Sequence, residues 1–261
     1  MKKILTAIFV CITCSLLSMG CIDGDIFPPD NIKYQIVNGL DGHLGGGVKL
    51  TWAPYDADVG ISIDGVQVAV VTTNEAYVYT PGNEIEVYAV IDGEQAGYSA
   101  YIDISLAIET PYLDVWSIND PDPNHPSGFG FDTTGSVTSY SLFRDSVKID
   151  FYVGINTDSA LCFKSPHLHI PSPISSEHNS TCQESTFYDS LETVPAATSQ
   201  YFEYESEIEN NGTYSFWLDD DGEYDTTGHF GKMLVVGIEC DKVALKLAYQ
   251  TVPGLRWVKT D

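Results

Sequence analysis

Residues 61–93 read ISIDGVQVAVVTTNEAYVYTPGNEIEVYAVIDG, and they decide the fold. Ile61-Ser62-Ile63 and Val66-Gln67-Val68 flank Asp64-Gly65. An Asp-Gly pair between short apolar runs is the strongest local signal for a tight hairpin, because both turn positions need a positive φ. Tyr77-Val78-Tyr79 then runs into the turn Pro81-Gly82-Asn83. Ile85, Val87 and Ala89 alternate with Glu84, Glu86 and Tyr88 before a second Asp-Gly pair at Asp92-Gly93. A period of two is that of strands buried on one face.

The same grammar extends on both sides. Upstream, Val48, Leu50 and Trp52 alternate with Lys49 and Thr51, and Lys33–Val37 adds one more strand. Downstream, Tyr98–Leu106 closes the run. Residues 33–106 therefore hold about seven strands, the number of an immunoglobulin-like sandwich. The stretches VKLTWAP (48–54) and EIEVYAVIDG (84–93), with the Asp64-Gly65 hairpin between them, resemble a fibronectin type III module. That resemblance implies a spacer or adhesion unit.

Residues 107–261 predict a second unit, a larger β-sandwich or jelly roll, so the whole chain reads as all-β. Val147, Ile149, Phe151 and Val153 alternate with polar neighbours and predict a strand. Leu161–Ile170, Tyr201–Ile208, Thr213–Leu218, Lys232–Glu239, Val243–Thr251 and Leu255–Lys259 predict others. Residues 171–199, rich in Ser, Thr and Pro, read as one long excursion, and such loops tend to carry function. No long stretch repeats apolar residues at helical spacing.

The first 20 residues predict a signal peptide: Lys2 and Lys3, then an apolar run from Ile4 to Leu17. The run ends Leu17-Ser18-Met19-Gly20-Cys21, which resembles the lipobox of bacterial lipoproteins. The resemblance implies cleavage before Cys21 and acylation of that residue. Ile22, rather than Asp, follows it, a pattern that resembles lipoproteins sent to the outer membrane. The cell envelope is therefore the expected location, periplasmic or surface-exposed, with the membrane as partner through the anchor. Residues 21–32, with Pro28-Pro29 and three Asp, read as a tether.

The net charge is −25, from 12 basic and 37 acidic residues, and becomes −27 once Lys2 and Lys3 leave. Nucleic acid is excluded as a partner, since phosphate recognition rests on Lys and Arg. Beyond the leader and Cys21, the cysteines are Cys162, Cys182 and Cys240. Export permits a disulfide, and Cys162 with Cys182 closes the shortest loop, so this is the expected bridge. In the chain-entropy picture such a loop stabilises by about 3 kcal/mol.

Asp219, Asp221 and Asp225, around Gly222, form a candidate calcium site, because hard cations favour several oxygen ligands on a tight turn. His167 and His169 share one face if their segment is a strand, a spacing that suits a metal or haem iron. Trp116 and Trp217 are candidate platforms for sugar rings. Neither a Gly-x-Ser-x-Gly elbow nor a His-Glu-x-x-His helix motif occurs, so the expectation is a protein that is not an enzyme.

Gly231-Lys232-Met233-Leu234 and Ala248-Tyr249-Gln250 resemble the closing strands of HmuY-type lipoproteins of Gram-negative bacteria. Ile149-Asp150 stands where that family carries Trp-Asp. The family's type member captures haem with two His that have no aligned counterpart here. The expected function is therefore non-enzymatic binding or surface presentation, with a glycan, haem or a protein as candidate ligand. Haem or metal capture and glycan binding are the alternatives.

Overall fold

The computed structural model describes residues 25–168, 179–185, 187–195, 202–219 and 227–261. The first seven strands are β1 (Lys33–Asn38), β2 (Leu44–Thr51), β3 (Asp58–Ile63), β4 (Val66–Val71), β5 (Glu75–Val78), β6 (Glu84–Ile91) and β7 (Glu94–Asp103). They form two antiparallel sheets, in the orders β1-β2-β5 and β4-β3-β6-β7. Asp64 and Asp92 sit at positive φ ahead of Gly65 and Gly93, as their hairpin turns require. Val48 and Leu50 of one sheet meet Val59, Ile61, Ile85 and Val87 of the other, and the alternation read in the sequence is the one that fills this core.

The second sandwich follows. Its strands are β8 (Ile108–Glu109), β9 (Leu113–Trp116), β10 (Gly128–Phe131), β11 (Val137–Tyr140), β12 (Phe151–Ile155), β13 (Leu161–Lys164), β14 (Asn179–Ser185), β15 (Glu205–Glu207), β16 (Thr213–Asp219), β17 (His229–Glu239) and β18 (Lys242–Tyr249). One sheet runs β11-β10-β12-β13-β15; the other runs β14-β16-β17-β18-β8, with β9 also pairing along β18. Val243, Leu245, Leu247 and Tyr249 share the inward face of β18 and pack with Phe151, Phe163, Phe216 and Met233. The protein is an all-β double sandwich.

Four expectations need correction. The stretch from residue 147 is not one strand: a helical turn, α1 (Leu142–Asp145), and a 3-10 turn at Ser146–Lys148 precede β12, leaving Val147 exposed. The strand at Leu161 stops at Lys164, because Pro166 opens a 3-10 turn through Leu168. The described parts of 171–199 are not loop throughout: β14 is a full edge strand paired to β16 from Asn179 to Ser185. Leu255–Lys259 forms no strand beyond the single bridge Thr193↔Trp257.

The described part of the tether, residues 25–32, is docked rather than free. The Tyr98 amide donates to the Ile26 carbonyl at 2.8 Å and the Ala53 amide to the Asp30 carbonyl at 2.9 Å. The Tyr55 hydroxyl donates to the Phe27 carbonyl at 2.6 Å, and Ile32 packs on the first core. Gly97, at φ +71°, admits this strap, since a Cβ there would collide with the Ile26 carbonyl.

Candidate functional site

A concentration of buried polar chemistry lies where the chain returns from the second sandwich to the first. After β18, Gln250 is fully buried. Its side-chain amide donates to the Ser105 carbonyl at 3.1 Å and the Trp257 carbonyl at 2.7 Å, and its Oε1 accepts from the Val252 amide at 2.9 Å. The segment beyond it turns at Gly254, and Leu255 and Trp257 enter the core of the first sandwich beside Trp52, Ile63 and Ile104. The Trp257 indole donates to the Gly46 carbonyl at 3.3 Å.

Arg256, between them, points the other way and is 1% exposed. Its Nε donates to the Leu44 carbonyl at 3.1 Å, Nη1 to the Val194 carbonyl at 2.8 Å, and Nη2 to Asp41 Oδ2 at 2.5 Å. One planar guanidinium thus ties the start of β2, the cover segment of the second sandwich and a loop carboxylate, a task its fixed fork of donors suits. Burial pulls the Asp41 carboxyl upward, but the His43 amide and Arg256 outweigh it and hold the pKa below the ordinary value. Glycines make the approach possible: a Cβ on Gly45 would strike the Gly254 carbonyl, and one on Gly46 the Arg256 guanidinium. A hollow of about 220 Å³ remains beside this joint, lined by Leu40, Asp41, Tyr79, Thr193 and Arg256.

A second polar group sits on the outer face of the β16-β17-β18 sheet. Lys232 is buried, and its ammonium donates to the Tyr188 and Leu191 carbonyls at 3.0 Å each. It lies 4.5 Å from the centroid of the Tyr188 ring, with Lys246 4.9 Å from the same centroid. Burial lowers the Lys232 pKa, against the pull of Glu109 and Asp189. Burial also raises that of the Tyr188 phenol, with Glu109 adding to it. Residues 187–195 thereby become a cover, under which Trp217, Phe230 and Phe202 pack. Lys232 and Gln250, two of the residues that carry the lipoprotein resemblance, hold packing segments here.

The sequence-predicted sites fare differently. Asp219 ends β16 and is buried; Asp221 and Asp225 lie outside the described residues. His167 falls in the 3-10 turn Pro166–Leu168, not on a strand, and His169 lies outside the described residues, as does Cys21. Among the described residues no group of three His, Cys, Asp or Glu is arranged to hold a metal.

Cys162, Cys182 and Cys240 are free thiols. Cys182 faces the inter-sheet core. Leu161 and Phe163 of β13 also pack there, so alternation turns Cys162 to the opposite face, alongside Glu205 and Glu207. Burial pushes the Cys162 thiol up to about 11 and the Cys182 thiol to about 12. Trp217 is buried and presents no platform. Trp116 is half-buried beneath His125, stacked at 4.3 Å, while the His125 ring contacts Asp120 at 2.9 Å.

Sequence reasoning missed the joint. Its signal was present: three consecutive glycines, Gly45-Gly46-Gly47, at the head of a strand, where glycine marks a close backbone approach. No family model matches this sequence, and no curated protein is similar to it.

Proposed function

We propose that this is an exported, lipid-anchored, non-enzymatic protein of the cell envelope that presents a binding surface on a rigid two-sandwich body. One observation carries the reading: the C-terminal return, in which Gln250, Arg256 and Trp257 join the two sandwiches through one continuous network. The buried cationic and amide side chains serve main-chain carbonyls, which is the work of a scaffold. The first sandwich acts as a fibronectin type III-like spacer, and the second, with its longer connections, carries recognition of a protein or glycan.

The anchor is Cys21 and the destination is the outer membrane. Cys21→Ala is expected to abolish acyl labelling and to move the protein from the membrane to the soluble fraction; unchanged fractionation refutes the anchor. Haem or metal capture is the competing reading, with His167 and His169 as ligands, and the resemblance to HmuY-type lipoproteins supports it. A Soret band on haem titration that His167→Ala removes would replace the scaffold reading with capture. Calcium at Asp219, Asp221 and Asp225 is tested by melting curves in chelator and in millimolar calcium. Bound ion raises the melting temperature by mass action.

A further inference from the structure

Phe27, Tyr98 and Tyr101 form an exposed aromatic patch, and each has more than half of its surface in solvent. Phe27 and Tyr98 stack on one another with ring centroids 5.5 Å apart and planes inclined by 19°. Phe27 and Tyr101 both line a hollow of about 440 Å³, together with Pro28, Pro29 and Ala100. The Tyr101 hydroxyl donates to Glu86 at 3.3 Å, so its polar tip is held while its ring stays open. Phe27 belongs to the docked strap, which the Tyr98 amide and the Tyr55 hydroxyl hold in place.

The covalent distance from this patch to the proposed lipid site is short. Four Cα steps separate Cys21 from Asp25, the first described residue. At about 3.6 Å per fully extended step, they reach at most roughly 14 Å. An acylated Cys21 lies at the headgroup level of a bilayer, so the strap begins within that reach of the membrane surface. Aromatic rings favour that layer, where one side is apolar and the other wet.

We propose that Phe27, Tyr98 and Tyr101 rest in the headgroup layer of the membrane that holds the anchor, fixing the edge strand β7 against the bilayer. The inference rests on the acylation of Cys21 proposed above. The net charge of −27 that remains once Lys2 and Lys3 leave gives no electrostatic attraction to anionic lipid, so the contact is aromatic and suits uncharged headgroups. An anchor with a second contact is oriented as well as held.

The test uses the full-length acylated protein in phosphatidylcholine vesicles containing brominated chains, which quench tryptophan emission only on contact. Tyr98→Trp and, separately, Tyr101→Trp are expected to lose emission relative to the same variants in unbrominated vesicles. Phe187→Trp, exposed on the second sandwich, is expected to lose none. Protein that floats with the vesicles but shows no quenching at positions 98 and 101 overturns the patch and leaves the anchor standing. Quenching at position 187 equal to that at 98 also overturns it, since the contact would then lack an orientation. Protein that fails to float refutes the anchor, and the patch falls with it.

Discussion

The two sandwiches complete their cores by different routes. The second closes on itself, since every residue of its inter-sheet core lies between Leu113 and Tyr249. The first does not, because Leu255 and Trp257 arrive from the far end of the chain to finish a core whose other members lie between Ile32 and Ile104, apart from Val252, which belongs to the same returning segment. A boundary drawn where one strand run ends and the next begins, near residue 107, separates elements in sequence but not in packing.

The contrast breaks hardest under truncation. Removing residues 252–261 takes a Leu and a Trp from the first core, about 2–5 and 3–5 kcal/mol respectively. Together that approaches the whole stability of a small domain. Hydrogen exchange is expected to show β2, β3 and β6 unprotected while β16, β17 and β18 stay protected. Equal loss in both sandwiches would mean that the second also depends on the return.

Arg256→Ala is next, at about 2–4 kcal/mol, because it strands the buried Val194 carbonyl, the partly buried Leu44 carbonyl and the half-exposed Asp41. Arg256→Lys is expected to recover little, since an ammonium cannot span the same acceptors. Chemical denaturation of both variants checks this.

Titration separates the sandwiches at opposite ends of the pH scale. Cys162 and Cys182 have raised folded pKa values, about 11 and about 12 against 9.0. Their contribution is therefore complete below pH 9 and is lost as pH rises through those values, by roughly 3 kcal/mol for Cys162 and roughly 4 for Cys182 at about 1.4 per unit. Asp41 and Asp64 have lowered values, so their contribution is complete above the ordinary 3.8 and fades as pH falls below it. Alkali is thus expected to loosen the second sandwich first, and acid the joint, where Asp64 also meets Lys259 at 2.9 Å. Cys182→Ala flattens the alkaline limb. A thiol count of three in denaturant, Cys21 aside, confirms the free cysteines, whereas a count of one restores the Cys162–Cys182 bridge.

Gly97→Ala sharpens the picture at the other terminus. Its Cβ meets the Ile26 carbonyl and its φ is positive, so a cost of about 1–3 kcal/mol and faster proteolysis within residues 25–32 are expected. Cys240→Asn marks the low end: Cys240 is exposed at φ +54° in the β17–β18 turn, and the change is expected to stay within about 0.5 kcal/mol.

The first sandwich was legible because apolar residues alternate along several of its strands and its turns carry Asp-Gly pairs, two signals that agree. The second was less so. β14, NSTCQES, has Cys182 as its one apolar residue, and its place comes from pairing with β16 rather than from periodicity. Val147 and Ile149 fit a strand's alternation, yet the chain spends them on a 3-10 turn and its exit. Of the candidate site residues, the sequence identified chemical types but not surroundings: Asp219, read as a calcium ligand, and Trp217, read as a sugar platform, are buried. The joint escaped because its partners lie far apart; Arg256 and Asp41 are 215 residues apart.

That separation has a consequence for how the protein is made. The first sandwich is synthesised early, yet Ile104 must wait for Leu255 and Trp257, some 150 residues later, before its core is whole. Until then the core that holds Trp52, Ile63 and Ile104 lacks the two large residues that complete it. A prematurely terminated chain keeps that core incomplete for good, so the fold reports on whether its own translation reached residue 257.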